Sequence, residues 1–285
     1  MAPRSGSIGR RRLGIELREL RTKKGLTLDD VASRFDWSTS KVSRMERGLV
    51  PVAPRDVRDL AALYDVTEQD EINLLVSMAA TSRQRDWWHR YDDVMPRQFS
   101  IYLGFEGDAS SIHTYESLFI PGLLQTAGYA RALAAAAQPG DTEEQASRRV
   151  EARMLRQALI TGPESPRLHA IIDEAAIRRV VGSKAIMREQ LLHLVEATQR
   201  PNVIVQVIPY GAGAYMPMEG GFIILRFPGT SDADVVCIDI LTRSLYLDDV
   251  TEVDRYRDAW ENVLATAESP AASIHLIKTA AGELE

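Results

Sequence analysis

A chain of 285 residues, 45% apolar and 26% charged, has the composition of a globular protein and the length of one large domain or two smaller ones. Its single cysteine, Cys237, excludes an internal disulfide framework and a multi-cysteine zinc site. The net charge of −6 argues against nucleic acid only on average: residues 1–48 hold twelve Lys/Arg and six Asp/Glu, a balance of +6, which leaves −12 for the rest. Phosphate contacts are local and screened beyond roughly 10 Å, so the asymmetry carries more weight than the mean. The opening residues MAPRSGSIGRRRLG carry charge without an apolar run, and no run of about 18 apolar residues offers a membrane span. The expectation is a cytoplasmic protein with no membrane partner.

The periodicity predicts a first helix over Arg12–Lys24, with Leu13, Leu17 and Leu20 on one face and Gly25 as its end signal. Thr27-Leu28-Asp29-Asp30 reads as a capping-box start for a second helix to about Phe35, with Leu28, Val31 and Phe35 inward. Asp36-Trp37 is a tight link, and Ser38 caps a third helix running to Arg47. A fourth helix is expected over Arg55–Tyr64. A fifth opens at Thr67-Glu68-Gln69-Asp70 and carries Leu74, Leu75 and Met78.

The third helix, in STSKVSRMERG, is unusual because most of its side chains are polar. At about 100° per residue, Thr39, Ser40, Ser43, Arg44 and Arg47 share one arc of about 140°, opposite Val42 and Met45. The outer face therefore offers short hydroxyls and two guanidinium groups without a carboxylate. A ten-residue helix is about 15 Å long, and the DNA major groove is about 12 Å wide.

Two of the five short helices are joined by a three- to four-residue turn, the spacing of a helix-turn-helix. LTLDDVASRFDWSTSKVSRMERG resembles the helix-turn-helix of the phage-repressor (Cro/C1, or XRE) family, carried by Leu26, Val31, Ala32, Phe35, Ser38, Val42 and the SRMERG end. The resemblance implies that the third helix enters the major groove, with Thr39, Ser40 and Arg44 at base-reading positions. Ser38 matches a cap that contacts phosphate, and Lys41, Ser43 and Arg47 lie where contacts to the DNA backbone are expected. The resemblance also implies a structural ion pair between Arg21 and Glu46. Asp36 stands where the family's turn usually has glycine, so it is expected at positive φ. Leu28 stands where the family often has a phosphate-binding amide. That role is expected to shift to Lys23, Arg10, Arg11 and Arg12, with a solvated tail as the other reading of the basic run.

Beyond residue 80, RQRDWWHRYDDVM breaks the helical rhythm; Trp87 and Trp88 read as glue at a domain junction. Tyr102, Phe105, Ala109 and Ile112 keep a helical spacing, HTYESLFI alternates like a strand, and PGLLQTAGYARAL turns into a helix. A capped helix is expected over Thr142–Ile160, with Arg149, Arg153 and Arg156 on a solvated face partly neutralised by Glu144 and Glu151. LHAIIDE, VIVQVIPY, GGFIILRF, VVCIDI and SLYLDD read as strands, with an amphipathic helix through Met187, Leu191 and Leu194 after the first. A last helical region is expected over Val250–Ala267. Cys237 lies in an apolar strand as buried filler.

PGLLQTAGYARAL, VEARMLRQ, DEAAIRRVVG with MREQLLHL, and VIVQVIP with GGF resemble the uncharacterised C-terminal domain found behind XRE modules in regulators of filamentous actinobacteria. That resemblance implies a transcriptional regulator of development or specialised metabolism, or an antitoxin-like protein, with a small protein encoded nearby as its partner.

Histidines 89, 113, 169, 193 and 275 form no ligand spacing, and no phosphate loop, dinucleotide fingerprint or nucleophile elbow occurs. No metal, cofactor or catalytic residue is expected. Asp173-Glu174 beside Arg178 and Arg179 reads as structural rather than as a catalytic pair. The loop PYGAGAYMPMEGG (209–221) is open to reading as a lid, a partner-binding edge or a mobile hairpin.

The expected fold is an all-α N-terminal helix-turn-helix domain (residues 1–80), a Trp-rich linker (81–98) and a larger α+β domain with a mixed or antiparallel sheet (99–285). The expected protein is a sequence-specific DNA-binding regulator, acting as a homodimer on a near-palindromic double-stranded operator. Its C-terminal domain would take a ligand or protein signal of unknown identity. The alternatives are an antitoxin-like module holding a small protein, with DNA binding for autoregulation, and an enzyme with a DNA-binding prefix.

Overall fold

The computed structural model describes residues 6–81, 87–95, 97–162, 165–227, 234–241 and 243–285. The chain divides into two compact units. One gathers the described residues up to His89 with Leu103–Asp108; the other holds the described residues of Arg90–Tyr102 and Ala109–Glu285.

The first unit is built on α1 (Gly6–Lys23), α2 (Leu28–Phe35), α3 (Thr39–Glu46), α4 (Pro54–Leu63) and α5 (Gln69–Thr81). Local chemistry sets the helix starts. The Thr27 hydroxyl accepts from the Asp30 amide at 3.1 Å while the Asp30 carboxylate accepts from the Thr27 amide at 2.8 Å, a complete capping box. Pro54 sits in the first turn of α4, where its missing N–H would have no helical partner. Leu13, Leu17, Val31, Val42, Met45, Leu60 and Leu75 meet in one core. Leu74, grouped with Leu75 by sequence, is instead 56% exposed: α5 turns the adjacent Leu75 inward, and neighbours on a helix point about 100° apart.

Gly14 fixes how closely two of these helices pack. A Cβ there would lie 2.5 Å from the Glu46 carbonyl oxygen and 2.8 Å from that of Met45. Hydrogen alone fits, so α1 meets the last turn of α3 backbone to backbone.

In the second part of the chain, α6 (Arg97–Asp108) precedes β1 (Ser111–Glu116). A 3-10 turn (Gly122–Leu124), α7 (Ala127–Ala137) and α8 (Glu143–Arg156) then lead to β2 (Arg167–Asp173). α9 (Glu174–Arg178) and α10 (Lys184–Ala197) carry the chain to β3 (Val203–Ile208). Then come β4 (Phe222–Arg226), β5 (Val235–Ile240), β6 (Arg243–Leu247), α11 (Val250–Thr266) and α12 (Pro270–Gly282). The sheet order is β3-β2-β1-β4-β5-β6. β1–β2 and β2–β3 are parallel, and β1–β4, β4–β5 and β5–β6 are antiparallel, so the sheet is mixed. The helical connections supply the crossovers that parallel neighbours require. One sheet face, through Tyr115, Ile171, Phe222, Ile224 and Val236, packs on Trp260 and Val263 of α11. Cys237 is buried in β5.

Two local expectations change. Ala109 and Ile112 lie beyond the end of α6, and Ile112 belongs to β1, where period-two burial takes over from the 3–4 spacing. The expected helix over Thr142–Ile160 tightens to a 3-10 turn at Gln157–Ile160.

Gly14→Ala is expected to destabilise the first unit by about 1–3 kcal/mol, the usual cost of overpacking a closed contact. Urea unfolding followed by helical circular dichroism would measure it.

Candidate nucleic-acid interface

The turn between α2 and α3 is held by Asp36, whose backbone is left-handed at φ 55 and whose amide donates to the Ala32 carbonyl. Aspartate tolerates this region better than most side chains, so it serves where glycine would be the usual choice. Trp37 stacks on Phe35 with ring centroids 4.8 Å apart, and the Ser38 hydroxyl accepts from the Lys41 amide at 3.1 Å. α3 starts from that cap. Val42 and Met45 are each only 2% exposed and hold the helix to the core.

The opposite face is open. Thr39, Ser40 and Arg44 are exposed, as are Ser38 and Arg47 at the two ends; Ser43 and Lys41 are half-buried. The Thr39 hydroxyl donates to Asp29 Oδ1 at 2.5 Å, so a carboxylate from α2 stands beside this face. Arg44 Nε donates to the Ser40 carbonyl at 3.3 Å, which folds the guanidinium along the helix. Lys41 is drawn aside: its ammonium lies 3.6 Å from the centroid of the Trp37 ring and 3.8 Å from Asp56 of α4. Lys23 is exposed at the end of α1 and Arg10 is half-buried; the side chains of Arg11 and Arg12 lie outside the described residues.

The C-terminal end of α3 is fixed by Arg21 of α1. Its Nε and Nη2 donate to the two Glu46 carboxylate oxygens at 2.7 and 2.9 Å, and Nη1 donates to the Leu26 carbonyl at 2.7 Å. The Glu46 hydrogen bond, against an opposing effect of burial, raises the Arg21 pKa. Burial, then the Glu46 charge, raises that of Tyr64. Glu46 thus faces inward, away from the exposed arc.

The second unit holds the acidic pair and the arginines singled out by sequence. Asp173 caps α9, accepting from the Ala175 amide at 2.7 Å, and also accepts from the Tyr215 hydroxyl. Glu174 accepts from Arg178 Nε at 3.0 Å and from the Tyr210 amide at 2.8 Å. Both carboxylates therefore anchor the 209–221 loop, and the Met216 amide adds a bond to Asn262 at 3.2 Å.

The arginines of α8 are not a solvated face. Arg149 pairs with Asp141 at 2.5 Å, not with Glu144 or Glu151; Arg153 donates to the Gln125 side chain at 2.6 Å; Arg156 is 9% exposed and donates to the Tyr102 hydroxyl at 3.0 Å. The physical reason lies in α7, whose alanines leave a shallow wall that long arginine stems can fill. Burial, then the neighbouring Arg156, pulls Arg153 down to about 10. Burial, then Asp239, pushes Glu116 up to about 8, with Arg156 pulling the other way. On the other sheet face, burial lowers His113 to about 4, helped by Arg226 and His169.

Among the described residues, no group of three or more His, Cys, Asp or Glu could hold a metal ion, and no helix is long and apolar enough to cross a membrane.

Residues 12–75 match a family model described as a helix-turn-helix domain, and residues 99–279 match one described as a domain of unknown function (DUF5753). No curated protein and no solved structure matches the chain.

Two expected outcomes follow. Glu46→Ala strands a half-buried guanidinium and is expected to cost about 2–4 kcal/mol, less than a fully buried pair, whereas replacing both Arg21 and Glu46 by leucine costs less; a double-mutant cycle in urea measures the difference. Glu116 sets a pH dependence with a defined sign. A carboxyl raised to about 8 when folded contributes stability below its unfolded pKa that is lost as pH rises through 8. His113 has the opposite sign, and its effect is confined to the range between about 4 and 6.5. From pH 6.5 to 8, Glu116→Gln is therefore expected to gain on the parent by about 2 kcal/mol, read by denaturant titration at both pH values.

Proposed function

The chain belongs to the DUF5753 family and carries a helix-turn-helix domain ahead of that domain, and on that basis we propose that it is a sequence-specific DNA-binding transcriptional regulator. The single observation that carries the reading is the exposed polar face of α3. Thr39, Ser40 and Arg44 stand outward on a helix whose other side is anchored by Val42, Met45 and Glu46. Arg44 suits a bidentate contact to guanine O6 and N7, and Thr39 and Ser40 suit hydrogen bonds or contact with a thymine methyl group. Ser38, Ser43, Arg47, Lys23 and the Arg10–Arg12 run fit the phosphate backbone. Lys41, engaged with Trp37, supports the turn as much as it serves DNA.

A lone module of this size buries too little surface for tight operator binding, so two copies on half-sites about 34 Å apart complete the proposal. The larger unit is assigned the homodimer contact and the input. We assign it no catalytic residue, since Asp173 and Glu174 are engaged in anchoring a loop. One observation favours the antitoxin-like reading as a second role. A groove of about 1210 Å³, bordered by Tyr215, Met216, Met218, Leu245, Leu247 and Tyr256, leaves Met216 and Met218 about half exposed, as on surfaces that bind protein partners.

Arg44→Ala is expected to lose about 1–3 kcal/mol of discrimination at one base pair, while Arg47→Ala weakens all sequences alike and lowers the salt slope by about one. Fluorescence anisotropy on a selected operator and its single-base variants separates the two. If both variants bind within twofold of the parent, the assigned face is wrong. Sedimentation of the full chain with and without operator tests the dimer, and co-purification of a stoichiometric small protein tests the second role.

A further inference from the structure

The arginines of α8 border a cavity of about 280 Å³ within the second unit. Phe99, Ala130, Ala134 and Val150 supply apolar wall, Arg153 and Arg156 supply cationic floor, and Asp239 stands at its exposed margin. Of the other charged groups, Arg149 is neutralised by Asp141, Arg156 donates to the Tyr102 hydroxyl at 3.0 Å, and Asp239 accepts from the Ser244 hydroxyl at 2.5 Å.

Arg153 differs. It is half-buried, it donates to the neutral Gln125 amide, and among the described residues no carboxylate lies within ion-pair distance of it. Burying a guanidinium without a counter-charge is costly, and a second guanidinium beside it adds repulsion. The lowering of the Arg153 pKa by burial and by Arg156 reports that same discomfort. Such a group in a concave site suits a bound anion.

The composition of the wall selects the anion. Asp239 at the margin disfavours a doubly charged guest, and Arg153, which has no ion-pair partner among the described residues, matches one negative charge. The alanine, valine and phenylalanine wall suits a hydrocarbon body, and a guanidinium suits the two oxygens of a carboxylate. We propose that this cavity binds a small organic monocarboxylate, its carboxylate on Arg153 and its apolar body along α7 and Phe99. The assignment names the ligand class for the input suggested above and rests on that reading for its regulatory meaning.

The test uses the full chain without DNA, probed with hexanoate, octanoate and 3-phenylpropionate, against 3-phenylpropan-1-ol as the uncharged match of the last. Calorimetric titration and thermal unfolding are expected to show carboxylate binding at millimolar concentration or tighter, at least tenfold stronger than the alcohol. Arg153→Met should abolish the preference for the acid while the ligand-free chain still unfolds in one cooperative transition. Ala134→Leu, which fills the cavity while keeping the charge, should lose binding of all three acids. The assignment is overturned if none of the acids binds at millimolar concentration, if the alcohol binds as well as the acid, or if both variants bind like the parent. Because DNA is absent from the assay, failure here leaves the α3 reading standing. A wrong recognition face would leave the titration unchanged.

Discussion

The bidentate pair between Arg21 and Glu46 is the contact on which the exposed helix depends. One guanidinium binds both oxygens of the last residue of α3 and the carbonyl of Leu26, just before α2 begins. It therefore ties α1, the end of α3 and the link before α2 with a single side chain. Gly14 makes the arrangement possible by letting α1 approach the end of α3. At the other end, the Ser38 cap, the Thr39–Asp29 bond and the Lys41–Trp37 contact fix the start of the same helix. Side chains carried on a cylinder fixed at both ends need little ordering when they meet a partner, which is where preorganisation gains affinity.

In the larger unit, ionisable groups do structural work at several places. Asp173 and Glu174 each serve a helix and a loop together, so the glycine-rich 209–221 segment is tethered at Tyr210, Tyr215 and Met216. The arginines of α8 show the same economy with one exception. They border the space left by alanines, and Arg149 finds a carboxylate, whereas Arg153 settles for an amide.

Much of the first unit was legible because its signals are local. The capping box at Thr27 and the α3 face each depend on residues within a few positions, and the positive φ of Asp36 followed from the resemblance, whose turn has glycine there. Helix and strand content of the larger unit was legible for the same reason, and a mixed sheet was among the expected forms. Long-range pairing was not: nothing in SIHTYE announces that it lies between β2 and β4. Leu74 and Leu75 could not be told apart by hydrophobicity, since packing of α5 alone decides which turns inward. The arginines of α8 looked solvated because spacing along one helix says nothing of the alanine wall opposite. A signal was present, in the run of alanines through α7, but it becomes informative only once α7 and α8 are known to touch. Asp29 escaped notice as an ordinary first-turn acid, although ten residues separate it from Thr39.

The Asp29 carboxylate beside Thr39 has a kinetic consequence for the proposed regulator. A fixed negative charge at the reading surface repels every phosphate backbone equally, whatever the sequence. In a regulator of the kind proposed, that repulsion would shorten each stay on a non-operator stretch, while an operator would offset it through matched base edges. The search for an operator would then be a series of brief visits, with the acid on the reading surface setting their length.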